Sequence, residues 1–285
     1  MSKGSSVVAT PDSGNQALTA YYDLALEALS KSMGGNSTLA FNTRLRLARA
    51  YLSGKNWGPL RDLLDALQNS IVGSTSVSQS SDQSSNLLEI MSLQMQMYSS
   101  LGEHKKLGVV VEKARLLSKS AVNSPWVVGV IHECSGKMAM AGRKWEFARV
   151  EFNKAFESFE EAGNVERTLA CLNYLLLSSM LASSRISPFD AQNTKSYERN
   201  PAIGPLAGLT KSYLDMDYGI FNKVIAHYPT LPSADPYILT FLPELLASMR
   251  ASVALKIVTS YSRVPVSFVA RELGEWCTIT QHSSF

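Results

Sequence analysis

His132, Glu133 and Cys134 stand side by side. By type they could supply a metal ligand set, or a cysteine nucleophile with its base. The spacing argues against both. A metal site or a nucleophile–base pair needs side chains that converge, and residues one and two apart on a helix project to different faces. His104, His227 and His282 are scattered without ligand spacing. A buried structural cysteine is the simpler reading of Cys134. Phosphate chemistry lacks its residues too. Gly34-Gly35 and Gly142 are the nearest glycine runs, and neither has the lysine or the spacing of a phosphate-binding loop. The expectation is therefore a chain that is not an enzyme, with no catalytic, metal-binding or cofactor-binding residues.

The elements around these residues follow a repeat. Tyr51-Leu52-Ser53-Gly54-Lys55-Asn56-Trp57, Tyr98-Ser99-Ser100-Leu101-Gly102-Glu103-His104 and Met138-Ala139-Met140-Ala141-Gly142-Arg143-Lys144-Trp145 share one pattern. In each, an apolar helix runs into a glycine and a new helix opens within three residues. The spacings, 48 residues from Gly54 to Gly102 and 40 from Gly102 to Gly142, are those of one antiparallel helix pair. A helical solenoid is the architecture with that period, and such stacks offer long surfaces to partners.

Residues 1–14 are rich in Ser, Gly, Thr and Pro without periodicity and read as a disordered leader. Helices are expected over about 15–33, then from a cap at Asn36 or Ser37 with Leu39, Leu45, Leu47, Ala48 and Tyr51 facing inward, and over 57–72 with Leu60, Leu63, Leu64 and Leu67 on one stripe. Residues 73–86 form a serine-rich loop, either a plain linker or a phosphorylated switch. Further helices are expected over 87–101, 103–118 and 125–141, the last with Pro125 in its first turn. Residues 144–161 carry two apolar faces. Trp145, Ala148, Phe152, Ala155, Phe156 and Phe159 lie on one, with Phe147 and Val150 elsewhere, as a helix inside a stack requires. Residues 165–181 are apolar nearly all round and should be interior. From 183 onward prolines cut the chain into shorter helices. Asp235-Pro236 reads as a cap and a first-turn proline, and Pro243 should restart a helix running to about Tyr261. A small helix begins near Pro265, and 275–285 read as an irregular tail. Trp57 and Trp145 open second helices of pairs, where packing between layers is the first reading and a partner hot spot the second.

Bulk composition fits this plan. The chain has 285 residues, is 45% hydrophobic and 18% charged, and carries a net charge of +3. That is ordinary globular composition. Three cysteines, far apart and odd in number, make no disulfide framework and suit a reducing compartment. Neither a secretory signal nor a bilayer-spanning run is present, so the expected place is cytoplasm and nucleus, with no membrane partner. Basic residues cluster between Gly102 and Val150, where nine Lys and Arg face four Glu. This is either a solvated outer face or a docking patch for an acidic partner. Lys105, Lys106, Arg143 and Lys144 are its candidate partner-binding residues.

Several segments carry a resemblance. Ile131-His132-Glu133-Cys134-Ser135-Gly136-Lys137-Met138 is followed by Trp145-Glu146-Phe147-Ala148 and Phe152-Asn153-Lys154-Ala155-Phe156. Then come Thr168 to Leu177 and Ile186-Ser187-Pro188-Phe189-Asp190-Ala191-Gln192. Together with Tyr261-Ser262-Arg263-Val264, Phe268 and Leu273, the chain from near Tyr21 to Leu273 resembles the second-subunit family of the COP-9 signalosome, a PCI-domain family. The paralogous sixth non-ATPase subunit of the proteasome 19S lid shares the Phe-rich and Leu-Tyr-Leu helices and the Tyr-Ser-Arg entry, and lacks the Pro-Phe-Asp-Ala-Gln segment.

The resemblance implies an all-α fold. A right-handed, TPR-like solenoid over 15–182 would lead into PCI-type helices over 183–274, with a winged helix cut short after its first helix. It implies a non-catalytic scaffold and substrate-docking role in cullin deneddylation, the catalytic zinc lying in another subunit. The partners implied are other signalosome subunits and a cullin-RING ligase. Tyr261, Arg263 and Phe268, at the entry to the winged helix, join the candidate partner-binding residues. The family's chains begin well upstream and continue beyond Gly274, so part of the cullin-holding arm and the wing strands are expected to be missing. Val266, Phe268 and Leu273 should then be exposed, with poor solubility or partner dependence. The weak net charge and missing wing argue against nucleic acid. A generic helical-repeat adaptor remains the other reading.

Overall fold

The computed structural model describes residues 20–22, 24, 37–72, 80–119, 124–231, 234–260 and 263–272. Among them the chain is all α-helical, with two short 3-10 turns and no strand. The expected leader, the Gly34-Gly35 stop, residues 73–79, Tyr261, Leu273 and the tail lie outside the described residues. Packing divides the chain into two compact units, 1–138 and 139–285.

The first unit contains α1 (Ser37–Ser53), α2 (Trp57–Val72), α3 (Ser80–Leu101), α4 (His104–Ser118) and most of α5 (Pro125–Ala141). Leu60, Leu64 and Leu67 of α2 fall four and three residues apart, which puts them on one helical stripe. That stripe meets Leu45 and Ala48 of α1 and Ile90, Leu93 and Met97 of α3 in one buried cluster, with half-buried Trp57 packed on it. Leu39, expected inward, is instead 51% exposed. It sits in the first turn of α1, ahead of the stripe.

Helix α3 begins at Ser80, seven residues earlier than the serine content suggests. Gln83, Ser84, Ser85 and Asn86 are half-buried, so this part of the serine-rich stretch is packed helix and no solvated linker. Serine is only a moderately poor helix former, and tertiary contact overrides that. Further along α3 every residue from Ser92 to Met97 is buried. The polar ones are satisfied, Ser92 Oγ donating to the Glu89 carbonyl within the helix and Gln94 Nε2 to Gln68 Oε1 of α2 at 3.1 Å.

The second unit starts with α6 (Trp145–Glu161) and α7 (Val165–Leu181), which pack on each other. Ala148, Phe152, Ala155, Phe156 and Phe159 are fully buried, the face the sequence assigns to the core. Phe147 and Val150 are exposed. In α7 the run Tyr174 to Leu181 is buried on all sides, as its composition requires. Asn164 caps this helix, its side chain accepting from the Arg167 backbone N–H at 2.9 Å.

Shorter elements follow: a 3-10 turn at Pro188–Asp190, α8 (Gln192–Lys195), α9 (Gly204–Leu214), α10 (Tyr218–His227), a 3-10 turn at Tyr228–Thr230, α11 (Pro236–Leu239), α12 (Leu242–Ser260) and α13 (Val266–Glu272). Prolines occupy first turns at 188, 205, 229 and 236, where no N–H is missed. Asp235 caps α11 and Pro243 sits in the opening turn of α12. Helices α9 and α12 both contact α7, and α10 packs between α9 and α12.

Among the described residues one turn geometry closes six helices. At Lys55, Gly102, Arg143, Gly163, Ser183 and Met216 the backbone has φ between 54° and 71°. In each case that residue's N–H reaches the carbonyl three residues back, and the next N–H reaches the carbonyl five residues back. Examples are Arg143 to Met140 with Lys144 to Ala139, and Gly163 to Glu160 with Asn164 to Phe159. This is the left-handed helix terminus that satisfies orphan carbonyls. In two of the three repeats visible in the sequence the glycine is not the left-handed residue. Gly54 and Gly142 precede it, and Lys55 and Arg143 take the strained position.

Candidate partner-binding surface

Lys105 and Lys106 open α4, and both are exposed. Their surroundings differ. Lys106 Nζ lies 2.8 Å from a Glu103 carboxylate oxygen and 5.8 Å from the Tyr98 ring centre. Glu103 also faces Arg61 of α2 at 3.7 Å. The turn between α3 and α4 therefore holds Lys106 in place, while Lys105 projects to solvent.

Arg143 and Lys144 occupy the left-handed turn between α5 and α6. Arg143 reaches Glu244 of α12 at 3.6 Å while remaining 76% exposed, so the pair contributes little to stability. Arg263 is exposed, and Phe268, in α13, is half-buried. Val266 is 71% exposed, as expected, whereas the half-buried Phe268 departs from the exposure expected of it. Tyr261 and Leu273 lie outside the described residues.

The residues with chemical potential are placed structurally. Cys134 and Cys171 are buried and outside any disulfide. Glu133 is buried and accepts from Lys137 Nζ at 2.7 Å, one helical turn away. Among the described residues no group of three His, Cys, Asp or Glu side chains could hold one metal ion, and no helix is long and apolar enough to cross a membrane. On α6, Arg149 donates to Glu146, and that hydrogen bond holds the Glu146 carboxyl below its ordinary value. Burial raises the Tyr228 phenol. Tyr197 is raised by burial first and then by its hydrogen bond to Glu160.

Two features escape a sequence reading. The first is an aromatic chain in the second unit. Phe152, Tyr174, Tyr237, Phe241 and Trp145 meet in succession with ring centres 5.2–6.1 Å apart, distances favourable to tilted and edge-to-face pairs. Trp145 thus wedges where a packing residue was expected. Asp235 fastens this chain by accepting from the Tyr174 hydroxyl at 2.7 Å and from the Tyr237 N–H at 2.8 Å. The second is the outer face of α4, where Val109 and Leu116 are 55% and 67% exposed. Helical spacing from the buried Leu107, Val111 and Ala114 could have located that face.

These features define an α-helical protein with repeat-like packing. No family model matches the chain. COP9 signalosome complex subunit 2 of Dictyostelium discoideum is 35% identical over 253 residues, covering 89% of this chain and 55% of the relative. That of Drosophila melanogaster is 33% identical over 260 residues, covering 89% and 56%. A probable 26S proteasome regulatory subunit rpn6 of Schizosaccharomyces pombe is 22% identical over 191 residues, covering 66% and 45%. Along about nine-tenths of its length, this chain matches COP9 signalosome complex subunit 2 sequences from several organisms. It spans just over half the length of those subunit 2 relatives.

Proposed function

We propose that the chain is a non-catalytic scaffold and substrate-docking subunit of a COP9-type signalosome, supporting cullin deneddylation and so regulating cullin-RING ubiquitin ligases in cytoplasm and nucleus. The observation that carries this reading is identity of 30–35% with subunit 2 sequences across about nine-tenths of the chain, against 22% over two-thirds for the proteasome relative. In this reading residues 15–182 form a right-handed, TPR-like arm and 183–274 its PCI end, with α13 as the first winged-helix element. Lys105, Lys106, Arg143, Lys144, Tyr261, Arg263 and Phe268 are its proposed partner contacts. Rigid helices joined by short, hydrogen-bonded turns support a docking role, because such stacks hold a long surface with little ordering cost on binding.

The test is to tag the chain in its native cells and identify co-purifying proteins by mass spectrometry. Signalosome subunits and a cullin should be recovered. Proteasome lid subunits in their place would transfer the chain to the paralogous role. Recovery of neither complex would leave the general adaptor reading.

A further inference from the structure

The outer face of α4 leaves apolar side chains uncovered. Leu107, Val111 and Ala114 bury the inner face completely. The inner face is also tight at Gly108, where an added Cβ would stand 3.2 Å from the Met138 sulfur. The helix is thus a fixed platform. On its opposite side Val109 and Leu116 are 55% and 67% exposed. They are seven residues apart, about 10 Å along the axis and nearly in line. Lys105, one turn before Val109, and Lys113, one turn after it, flank the apolar strip, and both are exposed. Among the described residues neither ammonium group has an ion pair. Lys106, next to Lys105, is by contrast already engaged with Glu103. Glu112 lies on the edge of the strip.

We propose that this face docks an amphipathic helix of a partner protein. The partner helix would place two aliphatic residues two turns apart against Val109 and Leu116, and acidic residues against Lys105 and Lys113. Apolar contact supplies the seat, and the unpaired lysines choose the sign of the occupant. A basic or neutral helix would leave both ammonium groups facing nothing or a like charge, and complementarity of this kind sets specificity. The inference concerns this one face and holds whichever assembly the chain enters. It also divides the sequence-derived candidates, since Lys105 belongs to the surface and Lys106 to the turn that supports it.

The test uses the full chain and two labelled synthetic helical peptides. Each carries leucines seven residues apart, one with glutamates and one with lysines a turn to either side. Fluorescence anisotropy should show the glutamate peptide binding and the lysine peptide binding at least about ten-fold more weakly. Carbodiimide coupling, which joins amines to carboxylates in contact, should link the glutamate peptide to Lys105 and Lys113 and not to Lys106, whose amine already faces Glu103. K105E/K113E should reverse the peptide preference, and V109Q/L116Q should abolish binding of both. K106E should leave the preference unchanged. All three variants alter exposed side chains, and unchanged circular dichroism would establish that they fold. Equal affinity for the two peptides, no binding of the glutamate peptide, or coupling of that peptide elsewhere on the chain would overturn the proposal. So would self-association of the chain in sedimentation that V109Q/L116Q removes, because a second copy would then be the occupant.

Discussion

Replacing Asp235 with alanine removes two interactions at once. Its carboxylate caps α11 through the Tyr237 N–H at 2.8 Å and receives the Tyr174 hydroxyl at 2.7 Å. Loss of a helix cap costs about 1 kcal/mol. The Tyr174 side chain is almost fully buried, so its hydroxyl would lose its acceptor away from water, at a further ~1–3 kcal/mol. The expected destabilisation is therefore about 2–4 kcal/mol. For a unit of this size that lowers the melting temperature by roughly 2–4 °C per kcal/mol. Tyr174→Phe removes only the hydroxyl and leaves the cap, so it should cost about 1–2 kcal/mol. Because the two residues share one bond, the double variant should be less destabilised than the sum of the singles, by ~1 kcal/mol or more. Asp235→Asn keeps one acceptor oxygen, enough for the Tyr237 N–H cap, and turns an amide N–H toward the Tyr174 hydroxyl, which can rotate to accept it, so it should recover part of the loss. Urea denaturation of the four variants, followed by circular dichroism, measures the cycle. Strict additivity, or an Asp235→Ala cost under about 0.5 kcal/mol, would refute the view that this residue fastens the aromatic chain to α11.

Other outcomes follow from the same packing. Phe156→Ala should destabilise the chain by about 3–5 kcal/mol, since the ring is fully buried between α6 and its neighbours, and thermal melts will register it. Gly163→Ala forces a side chain into the left-handed region at φ 69° and should cost ~1 kcal/mol, whereas Ser183→Gly relieves the same strain and should be neutral or stabilising by up to ~1 kcal/mol. Burial holds Tyr228 above its ordinary value, so the folded state keeps a proton that the unfolded chain releases. That contribution is complete below the usual tyrosine pKa of about 10 and is lost as pH rises from there through the raised value. Urea midpoints measured from pH 9 to 11 should fall, and Tyr228→Phe should flatten the decline, leaving acid behaviour unchanged.

Much of this architecture was readable from apolar spacing. The Phe152–Phe159 face, the buried α7 and the Asp235 cap all follow from periodicity or local turn chemistry, which act over a few residues. What escaped reading depends on distance along the chain. Tyr174 and Asp235 are 61 residues apart, and no local pattern couples them. The helical start at Ser80 escaped for a related reason, because serine content records backbone preference and says nothing of the surface that overrides it. Lys105 and Lys106 look identical in sequence. Only the folded turn, with Glu103 and Tyr98 beside one of them, tells them apart. The apolar strip on α4 was hidden by its composition, since valine and leucine in a helix read as core until the buried face is known.

The six helix-ending turns have a consequence for how such a chain diverges. Each is closed by main-chain hydrogen bonds, and glycine, lysine, arginine, serine and methionine all occupy the left-handed position. The rule that spaces the helices is therefore carried by the backbone and tolerates any side chain that accepts a modest strain. Residues at these corners are free to drift, and with them the charge and shape of the surface at every corner. A lineage could in this way exchange binding partners turn by turn while the helices between them stay in register, and two descendants could share a frame yet show almost nothing in common on the faces they present.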